Sequence, residues 1–581
     1  MAATFDLDGW AEKAEAKASE LRDVQTHLWP PHIPREVPGE LNGRTFIEIF
    51  QANVESAPDR TAINFYGTEI TYRQLDDWSD SFAGWLISIG ATAGDRIGVF
   101  LPNCPQFIVL MLGTLKAGMV HVPINPMFKR GELEFESNDA GLSVLICADY
   151  LYELVEAAEL NTVRARRFID VSSLVPETPT VRVPTFLSRD FTGKDDDAWQ
   201  ELTQGEPISS GATDPEAIAA LNYTGGTTGV PKGCMHTQAN MVVAAHNCAL
   251  AWGISGAESV SDEVVVAFTP IFWISGENNG ILAPLYAGAT IVLMARWDAP
   301  AVLEAIETFK VTAMSGVVES YLELLSLAGS PQRQLGSLRH LRAMSFTRKL
   351  SIDIRRQWED ATGGGSILRE SSFGMTESHT SNTFTTGLED NDFDLLNEPV
   401  FVGLPMPGTD FLIVDSKDRD LVDQGEVGEI VLRSPSNFLG YWQKSKETEQ
   451  TLVDGWIFTG DIGKLSANGT LHYLGRQKEM LKVNGMSVFP SEVEVLMGRH
   501  PEVKAVAVVG AQDESTGQSV HAFVEMKPES TVDAEALETW AKEHMAVYKV
   551  PSVHLMSEMP RTATGKILKK DLPDVSTTGG L

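Results

Sequence analysis

The sequence is short of anything that would cross-link it covalently or hold it in a bilayer. Its 581 residues include four cysteines, Cys104, Cys147, Cys234 and Cys248, with no CxxC pair and no metal-ligand spacing. That argues against a structural disulfide and fits reduced thiols. Long apolar runs are missing too. The most apolar stretch, Phe107 to Ile124, is interrupted by Lys116 and carries two internal glycines. It reads as a buried helix, a stop at Gly118 and a buried strand, not as a membrane span. The start, MAATFDLDGW, lacks the basic residues and apolar run of a signal peptide. The ending TTGGL matches no lipidation or peroxisomal signal. A cytoplasmic protein without integral membrane association is the expectation.

Cations are also scarce. Lys and Arg number 46 against 79 Asp and Glu, a formal net charge of −33. A chain this acidic is repelled by phosphate backbones, which argues against a nucleic-acid partner. A polyanion site on it has to build positive potential locally. The usual nucleotide loop, GxxxxGK[ST], is absent.

What is present first is length and alternation. At 581 residues the chain exceeds one core, so two to four domains are expected. Residues 9–25 pattern as an amphipathic helix, and a proline-rich connector follows from Trp29 to Pro38. From about Phe46, helical stretches alternate with β-branched strands, RIGVFL, MVHVPI, SVLICA, ATIVLM and VTAMSGVV. That pattern calls for parallel sheets covered by helices. Residues 172–213, rich in Pro, Ser, Thr and Asp, read as an irregular excursion. Residues 403–475 change to short strands and glycine turns, an antiparallel subdomain. After Gly475, the SEVEVLMGRH helix, the AVAVVGA and HAFVEMK strands and the AEALETWAKEH helix make a compact α+β unit of usual domain size. The expected fold is therefore α/β. A large N-terminal domain (41–475) of helix-covered sheets, with a β-rich subdomain at 403–475, follows an extension (1–40) and precedes a small mobile α+β domain (476–581).

The densest chemistry lies in YTGGTTGVPKG, Tyr223 to Gly233. Glycines let a turn expose backbone N–H groups, and hydroxyls and an ammonium add donors, so the loop can wrap a polyphosphate. Alone it is only a turn. Six further segments follow in order: FGMTE at 373–377, GLPMPG at 403–408, GEVGEI at 425–430, TGD at 459–461, GRQKEMLKVNGMSVFPSEVE from Gly475, and PRTATGK ending at Lys566.

Together these motifs resemble the adenylate-forming superfamily of acyl-CoA synthetases, carrier-protein adenylation domains and luciferases, over about Phe46 to Lys570. The resemblance implies an enzyme joining a carboxylic acid to ATP as an acyl adenylate, then passing the acyl group to a thiol. It implies ATP, Mg²⁺ and coenzyme A as cofactor and co-substrates, and small-molecule partners, with homodimers common among relatives. It casts Thr224, Gly225, Gly226, Thr227, Thr228 and Lys232 as the phosphate loop. Glu377 and Thr227 become the Mg²⁺ ligands. Phe373, Gly374 and Thr376 fall in the adenine motif, and Asp461 with Arg476 at the ribose. Lys566 supplies the cation for adenylation from a rotating lid, with Lys478 at its hinge and Gly485 along the pantetheine tunnel.

Three departures bear on the acid. Trp273 stands where many relatives have histidine. SFTRKL replaces the small-residue run usual beside adenine, bringing Phe346, Thr347, Arg348 and Lys349. Gln238 replaces another histidine, leaving His236 as packing. Bulk at Trp273 and Phe346 points to a short, medium or compact cyclic acid. Loading of a carrier protein shares every adenylation motif. A silent binding protein on the same fold is the reading from another class, since fold does not fix function.

Overall fold

The computed structural model describes residues 7–187, 198–208, 214–224, 230–254, 261–345, 349–397, 400–483, 486–513, 516–561 and 567–575. Two parallel sheets form its centre. The first runs in the order Ala165–Ile169, Val144–Ala148, Arg96–Phe100, Val120–Pro123, Ile218–Tyr223 and Gly233–Thr237, and only its last pair is antiparallel. The second orders Arg369–Glu370, His340–Met344, Ala313–Val317, Val264–Ala267, Thr290–Leu293, Thr61–Phe65 and Thr68–Thr71. Its strands are parallel apart from the hairpin at Thr61–Thr71. Strands covered on both faces must be apolar throughout, and VLICA at Val144–Ala148 is buried at every position.

The Phe107–Ile124 stretch resolves as read. Helix Pro105–Lys116 is buried at every residue, and strand Val120–Pro123 follows it. The Lys116 ammonium that interrupts the apolar run is held by Asp76 and Asp80 at 2.6 and 2.7 Å. A second core helix, Gln238–Trp252, starts from a Thr237 capping box and ends at left-handed Gly253. Gln238 there accepts a hydrogen bond from the Ile47 amide at 3.2 Å, so this departure from relatives serves the core.

The β-rich unit is a third, antiparallel sheet, ordered Thr383–Phe384, Phe401–Pro405, Leu471–Arg476, Trp456–Leu465, Gly428–Arg433 and Asp410–Val414. The N-terminal helix Leu7–Gln25 packs on it. Trp10 lies edge-on to Trp456 at 6.1 Å and donates Nε1–H to the Arg419 carbonyl. Arg22 grips Asp410 with both Nε and Nη2, at 2.7 and 2.5 Å.

A smaller C-terminal domain is built on a fourth sheet. Its strands order Met486–Val488, Leu481–Val483, Gly517–Met526 and Val503–Asp513, with Ser552–Met556 parallel to Gly517–Met526. Helices Pro490–Met497 and Ala534–His544 cover it. A single 3₁₀ turn, Gln477–Glu479, separates strand Leu471–Arg476 of the third sheet from Leu481–Val483 of the fourth. Among the described residues no helix is long and apolar enough to cross a membrane. The four cysteines are free and buried.

Candidate active site

The glycine loop hangs from a closed hairpin base. Tyr223 pairs with Gly233 across adjacent strands. Beyond them the Thr224 amide donates to the Lys232 carbonyl (3.0 Å), and the Lys232 amide donates to Thr224 Oγ1 (3.1 Å). The Tyr223 hydroxyl donates to Asp139 at 2.8 Å, anchoring the base to helix Arg130–Ala140. Gly225, Gly226, Thr227 and Thr228 lie outside the described residues.

Lys232 is the first of a row. Its ammonium stands 4.0 Å above the Tyr441 ring, and the Tyr441 hydroxyl donates to Glu377 Oε1 at 2.6 Å. Backbone pairing sets this alignment. The Met235 amide donates to the Gly440 carbonyl, and the Leu439 and Trp442 amides donate to the Met235 and Gly233 carbonyls. The Phe438 amide donates to the Glu377 carbonyl at 2.8 Å. Burial and the neighbouring Glu377 carboxylate hold the Tyr441 phenol well above its ordinary range, so it stays a donor. Sequence reasoning missed Tyr441. A tyrosine in FLGYW carries no local mark, and its role arises only from pairing across two hundred residues.

Glu377 sits on a 3₁₀ turn, Thr376–Ser378, whose N-cap residue Met375 makes no side-chain cap. The chain then reverses through three consecutive left-handed residues, His379 (φ 55°), Thr380 (59°) and Ser381 (45°). Non-glycine residues there store strain, a β-branched threonine most of all. Asn278 clamps the reversal by donating Nδ2–H to the His379 carbonyl (3.2 Å) and Thr380 Oγ1 (2.9 Å). Gly374 is required by this tight return, since a Cβ would meet the Ser381 amide nitrogen at 2.6 Å. Phe373 is mainly a core residue, 8% exposed, against Phe411 and Tyr473.

Asp461 and Arg476 face each other across strands Trp456–Leu465 and Leu471–Arg476, paired at 2.9 Å. The Asp461 amide donates to Thr459 Oγ1. Burial pushes the Asp461 carboxyl up to about 7; Arg476 opposes this, while Glu377 and Glu429 add to it. The site therefore joins two carboxylates, Glu377 and Asp461, to two cations, Lys232 and Arg476. Among the described residues no cluster of three His, Cys, Asp or Glu side chains stands ready to hold a metal. One carboxylate suits Mg²⁺, which keeps waters and takes phosphate oxygens from its nucleotide.

Trp273 stands at the N-cap of helix Ile274–Glu277, which continues into a π-turn, Asn278–Leu282. Such turns recur at functional sites. Trp273 is half-buried beside Phe272 at 5.4 Å. His236 is buried against His379 at 4.5 Å, consistent with packing. Lys349 is half-buried near Glu370, whereas Phe346, Thr347 and Arg348 lie outside the described residues, as do Gly485 and Lys566. Arg561 and Ile567 form the antiparallel bridge at the base of the Lys566 segment. Lys478 falls within the 3₁₀ turn between the third and fourth sheets.

The profile of the AMP-binding enzyme family matches residues 50–442, and that of the AMP-binding enzyme C-terminal domain matches 492–566. A long-chain-fatty-acid–CoA ligase of Bacillus subtilis is 31% identical over 94% of this chain and 97% of its own. An anthranilate CoA ligase solved with anthranoyl-AMP superposes with TM-score 0.76 at 27% identity, covering 90% of this chain and 96% of its own. A benzoate CoA ligase from Burkholderia xenovorans does so with TM-score 0.74 at 25% identity, covering 91% and 99%. The chain belongs to the AMP-binding enzyme family and is an ATP-dependent, AMP-forming acid–CoA ligase.

Proposed function

We propose that this ligase activates a compact carboxylic acid, short, medium or cyclic, in two half-reactions divided between two positions of its C-terminal domain. The observation that carries the reading is the Lys232–Tyr441–Glu377 row beside the Asp461–Arg476 pair. A carboxylate and ATP repel each other, so adenylation needs that repulsion cancelled before attack. Lys232 and the loop beyond Thr224 donate to the β- and γ-phosphates. Glu377, aimed by the Tyr441 hydroxyl, would hold Mg²⁺ with Thr227, and the bound ion would supply charge withdrawal from the phosphate oxygens. Asp461 accepts from the ribose hydroxyls with Arg476 alongside, and Gly374 lets the backbone pass close under adenine beside Phe373.

The substrate oxygen then attacks the α-phosphorus, pyrophosphate leaves, and Lys566 meets the oxygen where charge gathers. The domain boundary lies at 475/476, with Lys478 in the hinge. Rotation there withdraws Lys566 and brings Gly485 to the pantetheine arm, so the CoA thiolate attacks the acyl carbon and AMP leaves. Trp273 and Phe346 wall the acyl pocket and shorten it. The compact substrates named for the anthranilate and benzoate ligases support this more than the long-chain relatives do.

An acid panel with MgATP and CoA, read by pyrophosphate release, tests the proposal. Benzoate-sized or short acids are expected to lead; palmitate as the best substrate overturns the pocket assignment. Lys566→Ala is expected to abolish ATP–pyrophosphate exchange while sparing thioester formation from preformed adenylate. Equal loss of both halves removes the two-position scheme.

A further inference from the structure

A guanidinium stays charged at any pH a protein survives, so burying one demands a carboxylate or a ligand to answer it. Among the described residues three cationic side chains are buried, Lys116, Arg342 and Arg355. Lys116 has Asp76 and Asp80. Arg355 lies between Asp392 and Asp394 at 3.0 and 2.5 Å. Arg342, 3% exposed, differs from both. Its Nη1 donates to Cys248 Sγ (3.5 Å) and Asn279 Oδ1 (3.3 Å), and its Nη2 to Ser371 Oγ (3.3 Å) and Ser372 Oγ (2.6 Å). All four acceptors are neutral, and no described carboxylate lies within 4.0 Å of it.

The location of this uncompensated charge is informative. Asn279 belongs to the π-turn that follows Trp273, and Ser372 directly precedes Phe373. Arg342 itself lies on strand His340–Met344, which leads into the SFTRKL segment. Arg342 thus lies between helix Gln238–Trp252, the π-turn that follows Trp273 and the serines that precede Phe373. None of its four partners belongs to the Lys232–Tyr441–Glu377 row or the Asp461–Arg476 pair, although Ser372 adjoins the adenine motif at Phe373.

We infer that Arg342 is the specificity-determining counter-ion for a second anionic group on the substrate, which makes the substrate class a dicarboxylic acid. This rests on the ligase reading and on the pocket assignment above. The reacting carboxylate is the wrong partner, because it loses its charge on becoming adenylate and thioester and would leave the guanidinium unanswered midway. A distal carboxylate keeps its charge through both half-reactions. An alkyl chain laid against Arg342 would leave it both dry and unpaired, which disfavours long monocarboxylic acids.

The test uses the full chain with MgATP and CoA and matched pairs of acids: glutarate with pentanoate, and phthalate with benzoate. The diacid is expected to exceed its partner in kcat/KM by about 100-fold, the range of a buried charge pair. Arg342→Met is expected to erase that ratio through the KM for the acid, leaving the KM for ATP unchanged, and Arg342→Lys to restore part of it. In the wild type, glutarate but not pentanoate should raise the melting temperature, a readout that survives if the Met variant does not fold. Turnover of the monoacids equal to the diacids, or a diacid preference that persists in Arg342→Met, overturns the assignment of Arg342 alone. Failure of every acid to release pyrophosphate brings down the ligase reading and this inference together.

Discussion

Replacing Tyr441 by Phe removes the donor to Glu377 while keeping the ring beneath Lys232. A hydrogen bond to a charged group contributes about 1.5–3 kcal/mol, so kcat/KM for MgATP should fall about tenfold or more, with saturation moved to higher Mg²⁺. An unchanged Mg²⁺ titration would detach Tyr441 from the site. Asp461 makes a prediction of opposite sign for stability. Its folded pKa of about 7 lies above the ordinary aspartate value of 3.8, so the protonated form is the one the fold prefers. That contribution is complete below about pH 4 and is lost as pH rises through about 7. Asp461→Asn should therefore be more stable than wild type at pH 8, by a few kcal/mol on the scale of about 1.4 per pKa unit, and nearly equal at pH 4. It should also lose nucleotide affinity. Denaturant melts at the two pH values together with ATP titrations decide both halves; a variant less stable at pH 8 refutes the assignment. The raised pKa was not readable from TGD, although the order of the motifs already places Asp461 at the ribose.

The strained reversal at His379–Ser381 depends on one amide side chain from another element. Asn278→Ala should release it, lowering stability by about 1–3 kcal/mol through two lost hydrogen bonds and weakening Mg²⁺-dependent exchange with little change at low nucleotide-free temperature stress elsewhere. Melting curves and exchange assays would show whether the two losses travel together; an effect on neither makes the clamp incidental. Elements of this kind mark where sequence legibility ends. Strands such as VLICA and helix Pro105–Lys116 were readable because apolar runs and a glycine stop leave few alternatives. The order of the phosphate, adenine and ribose motifs was readable because each keeps its own glycines and acids. The 379–381 turn was not, since HTS contains no glycine to announce positive φ. Arg342 was not, because being unanswered by a carboxylate is a property of three-dimensional neighbours. The N-terminal helix was visible as an amphipathic stripe at residues 9–25, but its docking face was not.

At the scale of the whole molecule, a net charge of −33 surrounds a site that must receive MgATP and CoA, both anions. Long-range repulsion slows such encounters and is screened by salt. The second-order rate kcat/KM for MgATP should thus rise severalfold from about 10 to 150 mM NaCl; a steady decline would mean that Lys232, Arg476 and the loop outweigh the surface field. Connectivity adds a different constraint. Helix Leu7–Gln25 lies on strands at Asp410–Val414 and Trp456–Leu465, and Trp10 and Arg22 have their partners there. During synthesis at about 5–20 residues per second, the helix waits on the order of 20–90 s for the surface it covers. Through that interval its apolar stripe is open to a chaperone or to another nascent chain, so this helix is made long before it can be secured.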